Sequence, residues 1–262
     1  MNREEILSYL NHTPVTEFRY FESIGSTNDE ALSWVDQDAP DFALVLADEQ
    51  TEGRGRFERR WVTNPGSALA FSLILHPLAS EKGQLLLFSP LCGLALRETL
   101  ATRFGLKAEI KWPNDVLLDG HKTAGILVEA AWSGETAVGI VLGIGINVYK
   151  GSVPPANTQL FPATCIADHF HSPIDRLEFL QVLLNALAKW RKELGSPSFF
   201  QEWQNHLAFK GNLIRIEDSQ KTSIIGIEKG INSRGNLVLI LGDGQEKEIV
   251  AGDVHLRPVE QR

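Results

Sequence analysis

Between Phe42 and Asn147 the chain is a succession of short apolar runs, and this pattern most limits the folds open to it. Phe42 to Ala47, Ala68 to Leu75, Glu109 to Trp112, Val116 to Leu118, Thr123 to Ala130 and Ala137 to Asn147 each read as a strand. Asn64-Pro65-Gly66-Ser67 leads into the second of them, and Asp119-Gly120 predicts an antiparallel hairpin. A short helix is expected over 3–10, and a strand, turn and helix start over Tyr20 to Glu30, capped by Ser26 or Thr27. Pro90 interrupts an apolar helical pattern from Gln84 to Arg103, so a kink or a late start is expected there. Helices follow near 175–193, with Leu177, Leu180, Leu184 and Leu187 on one face, and near 197–208. After Gly211 short strands return at Leu213 to Glu217, Thr222 to Glu228, Asn236 to Leu241 and Glu246 to Val250, with glycines in their turns. The chain therefore reads as α+β, with a larger unit over 1–210 and a small barrel or closed sheet over 211–262.

Composition narrows the function classes. A formal charge of −8 argues against nonspecific binding to nucleic acid or an anionic membrane, while leaving room for a local basic pocket. Cys92 and Cys165 lie in unrelated apolar settings outside any Cys/His cluster, so no structural zinc is expected; a disulfide between them stays open. The N-terminus lacks a hydrophobic signal segment and no apolar run reads as long enough to span a bilayer, so a reduced, cytoplasmic setting is expected.

Against this acidic background, cations and glycines gather in a few places. Gln50-Thr51-Glu52-Gly53-Arg54-Gly55-Arg56 is followed by Arg59, Arg60 and Trp61. Glycines let such a loop approach a ligand while guanidinium groups meet phosphate oxygens, although a solvated surface loop would look the same. It is no Walker A loop, because the Gly-Lys-Ser/Thr ending is absent. Lys111-Trp112-Pro113-Asn114-Asp115 puts a lysine at a strand end before an Asx-rich turn, which suits a ligand site or a solvent lysine beside a packed tryptophan. Lys122-Thr123-Ala124-Gly125 and Gly143-Ile144-Gly145-Ile146-Asn147 add a further cation, room beside glycines and an amide. His76 and His255 read as structural, and the scattered carboxylates offer no pair for glycoside hydrolysis.

Taken in order from Ser26-Thr27-Asn28 through Lys122…Ala124-Gly125-Ile126-Leu127-Val128-Glu129 to Asn147, these motifs resemble biotin protein ligase, the likeness running from about Phe18 to Arg257. The resemblance implies a mixed-sheet catalytic domain followed by an SH3-like barrel. It also implies a reaction in which biotin and Mg²⁺-ATP give biotinyl-AMP, whose acyl group passes to a carrier lysine of acetyl-CoA carboxylase. By resemblance, Thr27, Gln50 and the Arg54 backbone, beside Ser26, Asn28, Gly53 and Gly55, would recognise the ureido ring. Arg56 and Arg59 would close over the adenylate, and Trp61 would support its base. Lys122 beside Gly125 would bridge the biotin carboxylate and α-phosphate, with Arg56 and Lys111 assisting the chemistry. Asn114 and Asn147 would lie on the nucleotide side, and Arg257 would reach back toward the phosphates. Metal ligands are not assigned.

No N-terminal DNA-binding module precedes these motifs, so no DNA partner is expected, while the family's monomers and dimers leave a homodimer open. Two positions depart from the family pattern: Glu52 stands where a small residue is usual, and Glu58 where a glycine is usual. A differently stabilised loop with weaker adenylate retention is expected. A lipoate or octanoate transfer enzyme on a related scaffold and a non-catalytic biotin sensor are the competing readings.

Overall fold

In the computed structural model, which describes residues 1–57, 59–61, 63–155, 161–218, 223–250 and 254–258, the apolar runs pair into a seven-stranded sheet. Its strands are β1 (Phe18–Ile24), β2 (Ala43–Gln50), β3 (Ala68–Leu75), β4 (Ala108–Lys111), β5 (Asp115–Leu118), β6 (His121–Ser133) and β7 (Thr136–Asn147). They lie in the order β1-β2-β3-β7-β6-β5-β4. Among the described residues the α-helices are α1 (Arg3–Leu10), α2 (Thr27–Val35), α3 (Phe88–Phe104), α4 (Arg176–Lys192) and α5 (Pro197–Asn205). β1 and β2 are parallel and every other neighbouring pair is antiparallel, which makes the sheet mixed. The parallel pair needs a crossover, and α2 provides it.

The two faces of the sheet differ in side-chain size, and this difference creates the site. On one face Leu69, Phe71, Leu73, Ile140, Leu142 and Ile144 pack with Phe88, Leu91, Leu180 and Leu184 of α3 and α4. Each fully buried leucine there contributes roughly 2 kcal/mol relative to exposure. On the other face Val45, Ile74 and Val141 meet Ala31, Trp34 and Val35 of α2. Under the first residues of α2 and beyond them this second face carries Ser72, Gly125, Gly143 and Gly145, which pair across β3, β7 and β6 and leave room above the sheet.

Local chemistry explains the boundaries. Ser26 caps α2 by accepting from the Asp29 amide at 3.4 Å. Asp175 caps α4, whose last turn carries Lys189, Arg191 and Lys192 against the negative end of the helix dipole. Pro90 falls in the first turn of α3, where its missing N–H costs no helical hydrogen bond; the helix starts late rather than kinking. The stretch Leu85–Phe104 is, by length and composition, apolar enough to cross a bilayer, with mean hydropathy 1.3. Reading apolar runs alone overlooked it, because Arg97, Glu98 and Arg103 interrupt the run; α3 is buried in the core against α4 and the sheet. Asp119 (φ 46°) and Gly120 (φ 74°) make the hairpin turn expected between β5 and β6. Cys92 and Cys165 are buried free thiols, which closes the disulfide question.

Beyond α5 the strands β8 (Leu213–Asp218), β9 (Ser223–Ile231), β10 (Leu237–Ile240), β11 (Glu246–Ile249) and β12 (Val254–Pro258) form an antiparallel sheet in the order β11-β10-β9-β8-β12. Among the described residues β11 and β12 are its edges, so the SH3-like unit is an open five-stranded sheet here. It seats on the first sheet through Trp112, fully buried, whose indole Nε1 donates to the Gly235 carbonyl at 3.2 Å. The Trp112–Pro113 bond is cis.

Glu228 of β9 is an exception to the apolar interior of this second sheet. It is only 2% exposed, and burial raises its carboxyl from an ordinary 4.5 to about 7. The folded state therefore holds its proton more tightly than the unfolded chain, so stability is full below about 4.5 and declines as pH rises toward 7. Glu228→Gln is expected to melt with the parent at about pH 4 and to be more stable at about pH 8, by up to about 3 kcal/mol. Urea unfolding at the two pH values measures this; equal curves at both would refute it.

Candidate functional site

A cavity of about 420 Å³ opens over the small-residue half of the sheet, where α2 stops covering it. Ser26, Thr27, Asn28, Gln50, Arg54, Gly55, Arg56, Arg59, Trp61, Lys111, Asn114, Lys122, Gly125, Asn147 and Arg257 all line it. Of the residues singled out from the sequence only Gly53 does not, and its carbonyl instead accepts from the Trp61 amide at 2.8 Å. The segment 50–63 folds back on itself through bridges Gln50–Thr63 and Arg54–Arg60, which brings Trp61 over the sheet. The Trp61 indole lies on Gly125 and Gly145, so closely that a methyl at 145 would overlap the ring.

The reactive end is a buried cluster of charge. Asp115 lies between two lysines, 3.0 Å from Lys111 Nζ and 2.6 Å from Lys122 Nζ. Burial alone would push its carboxyl up, but Lys122 and then Lys111 outweigh this by charge and hydrogen bond and hold it well below the usual carboxylate range. Strand alternation would turn Lys122 away with Ala124. A register shift opposite Val116 and Leu117 gives β6 an extra residue, and this bulge brings Lys122 round to Asp115 and the cavity. Lys111 Nζ sits 4.7 Å from the centre of the Phe161 ring and Lys122 Nζ 5.5 Å from that of Trp61, so aromatic faces cover both ammonium groups.

Further cations flank the cluster. Arg56 Nη1 donates to Asn114 Oδ1 at 3.4 Å, while Asn114 Nδ2 donates to the Ile126 carbonyl at 2.8 Å. Burial and the neighbouring Arg257 lower the Arg59 pKa, with Asp115 opposing them, so the last strand of the second sheet does reach this end of the cavity. Asn147 Nδ2 donates to the Thr164 carbonyl at 3.0 Å, and its buried Oδ1 has no partner among the described residues.

The other end is polar and neutral. Gln50 Oε1 accepts from the Thr27 amide at 2.8 Å and hydroxyl at 3.0 Å. Arg54 turns its guanidinium to Glu129 and Asp29, although the residue itself and Gly55 line the cavity. Among the described residues Glu52 is exposed and hydrogen-bonds through its backbone amide, to the Gly25 carbonyl at 2.8 Å, rather than through its carboxylate to the arginines. Glu58 lies outside the described residues. Asp115, Phe161 and Ser72 were not among the candidate ligand-binding residues. Asp115 is visible only as the close of the Lys111–Asp115 motif, and Ser72 as the one hydroxyl in the apolar run of β3. His76 is structural, its ring nitrogens 2.8 and 2.7 Å from the Val138 and Ala39 carbonyls. Among the described residues no group of three or more His, Cys, Asp or Glu could hold a metal ion.

Residues 20–147 match the biotin/lipoate A/B protein ligase family, and residues 212–257 the biotin protein ligase C terminal domain. The chain is 37% identical over 226 residues to the biotin–[acetyl-CoA-carboxylase] ligase of Paracoccus denitrificans, covering 82% of this chain and 90% of that one. It is 31% identical to the bifunctional ligase/repressor BirA of Bacillus spizizenii, covering 90% and 73%. Biotin protein ligase from Aquifex aeolicus, in complex with biotin and ATP, superposes with a TM-score of 0.80 at 26% identity over 93% of this chain and all of that one. The chain therefore belongs to the biotin/lipoate A/B protein ligase family, among its biotin protein ligases.

Removing Asp115 would leave two ammonium groups facing each other with little water between them. Asp115→Asn is expected to lose about 3 kcal/mol of stability at neutral pH. The parent's advantage should fade only in strong acid, because a carboxyl depressed in the folded state stabilises above its unfolded pKa and is lost as pH falls through its folded one. Urea titrations at neutral and acid pH would show it; equal stability at neutral pH would contradict it.

Proposed function

We infer that this chain joins biotin to ATP, giving biotinyl-AMP and pyrophosphate, and then transfers the biotinyl group to a lysine of a carboxylase carrier domain. The observation that carries this reading is the Lys111–Asp115–Lys122 cluster, flanked by Arg56, Arg59 and Arg257, at one end of a cavity whose other end is neutral and hydrogen-bonding. Kinship with ligases that act on biotin, and with one crystallised with biotin and ATP, supplies the substrates.

The neutral end suits the ureido ring, through Thr27, Gln50 and the backbone around Arg54. The apolar tail of biotin would then run along Trp61, whose ring covers Gly125 and Gly145, directing its carboxylate to Lys122. A carboxylate oxygen attacks the α-phosphorus and the bond to the bridging oxygen of pyrophosphate breaks. Two anions must meet for this, and Lys122, Lys111 and Arg56 lower that repulsion most where charge builds up. Magnesium, supplied with ATP rather than by an assigned set of residues, would screen the triphosphate and ease pyrophosphate release. Asn147 Oδ1 would accept from the nucleotide base.

In the second step the neutral carrier amine attacks the acyl carbon, the bond to AMP oxygen breaks and the nitrogen loses a proton to solvent. No protein nucleophile is required; Lys122 and Lys111 stabilise the departing phosphate, and proximity accounts for much of the remaining rate. The arginine loop would keep water from the mixed anhydride while the carrier approaches. A reduced, cytoplasmic setting agrees with two buried free thiols.

With biotin, Mg-ATP and a carboxylase carrier domain, the parent is expected to label the carrier lysine, and Lys122→Ala to do so at least about a hundredfold more slowly. Excess lipoate should not compete with biotin in ATP–pyrophosphate exchange. Competition would favour an acyl ligase of wider specificity, and biotin binding without carrier labelling would favour a sensor. Unchanged labelling by Lys122→Ala would remove that lysine from the mechanism.

A further inference from the structure

Two side chains that take no part in the chemistry above, Ser72 and Glu129, complete a line of polar contacts beneath the neutral end of the cavity. Glu129 Oε1 accepts from Arg54 Nη1 at 3.1 Å, and Oε2 accepts from Arg54 Nη2 at 2.9 Å and from Asn28 Nδ2 at 2.7 Å. Asn28 Nδ2 also lies 3.3 Å from the Leu127 carbonyl, and Asn28 Oδ1 accepts from the Ser72 hydroxyl at 2.6 Å. Ser72 Oγ is 2.8 Å from Thr27 Oγ1, which in turn reaches Gln50. The Gln50 amide then contacts Thr63 at 3.5 Å, on the returning limb of the arginine loop. The line thus leaves the loop at Arg54, runs under the cavity floor and rejoins the loop at Thr63.

Burial separates the strong links of this line from the weak one. Ser72, Thr27 and Asn28 are almost wholly enclosed, and Asn28 occupies space that a side chain at Gly143 would fill. An enclosed amide with both ends engaged has no low-energy alternative position. Glu129 is one-quarter exposed and meets Arg54 with both oxygens, a geometry that fixes direction as well as distance. Asp29, on the outer side of the same guanidinium, is 57% exposed, and a surface pair of that kind contributes little.

We propose that Glu129 is a positioning residue for biotin recognition: holding Arg54 with both oxygens and Asn28 with one, it fixes the arginine loop and the start of α2 in a single relative placement. This rests on the reading of the cavity as a biotin site. Thr27, Gln50 and the backbone near Arg54 come from three separate segments, and a flat, rigid bicyclic ring needs all three in place at once. Without Glu129 each segment keeps its own fold while their mutual spacing loosens, so the effect falls on biotin rather than on ATP.

The test is steady-state biotinylation with separate KM values for biotin and ATP, in the parent, Glu129→Gln, Asp29→Asn, Arg54→Gln and the Glu129→Gln/Arg54→Gln double variant. Glu129→Gln is expected to raise the biotin KM about tenfold and leave the ATP KM within about twofold. Asp29→Asn should stay within about twofold of the parent on both. The double variant should be no worse than its worse single, because both substitutions break one connection. A parental biotin KM in Glu129→Gln, equal rises in both KM values, or full additivity in the double variant would each overturn the proposal. Should Glu129→Gln fail to fold, Ser72→Ala carries the test from the middle of the line, with the same selective rise expected and an unchanged biotin KM overturning it. A parent without biotin-dependent turnover would refute the ligase reading along with this one, whereas an active parent with an unaffected variant would refute the positioning role alone.

Discussion

One buried carboxylate between two lysines is the interaction on which the cavity depends. Two ammonium groups gathered on one carboxylate repel each other, by an amount on the order of a few kcal/mol at the effective dielectric of a partly buried site. Asp115 offsets that repulsion, accepting a hydrogen bond from Lys111 at 3.0 Å and forming an ion pair with Lys122 at 2.6 Å. One negative charge against two positive ones still leaves the cluster cationic. An incoming anion can then take over part of the Asp115 role without the lysines having to travel, which keeps reorganisation small as charge moves.

Side-chain volume decides where this cluster can operate. One face of the seven-stranded sheet is filled by α3 and α4, while the other carries serine and glycine where the first residues of α2 and Trp61 lie over it. A sheet with bulky residues on both faces would have been more fully packed and would have had no room for a ligand. The bulge in β6 adds one residue where alternation would have pointed Lys122 into the packed face. The floor and the cation thus have separate origins, the first in small residues and the second in a local departure from regular pairing.

Much of this was legible in the residues, for identifiable reasons. The strands from Ala43 to Asn147 show as apolar runs because both faces of the central ones are covered or hollow rather than wet. The Asp119-Gly120 turn announces itself because few residues accept positive φ. The grouping of Lys111, Lys122, Arg56 and Arg257 was expected from the family resemblance, whereas the face on which Lys122 emerges was not, since a bulge leaves no mark in an alternation pattern. Arg54 and Asn28 were candidate ligand contacts, yet both turn their polar groups toward other side chains. Their partners, Glu129 and Ser72, are single polar residues inside apolar runs, and only the fold tells a satisfied buried group from a solvent-facing one. The crossing length of Leu85–Phe104 was hidden for the opposite reason, its few charges lying on the edge of an otherwise enclosed helix.

Arg257 stands five positions from the last residue of the sequence, yet it enters a cavity whose opposite wall begins at Ser26. Chain order therefore imposes a schedule on competence. While the protein is being synthesised, the large sheet can pair and the small-residue floor can form long before β12 exists. A growing polypeptide would thus have a place for a ligand but an incomplete set of cations around it.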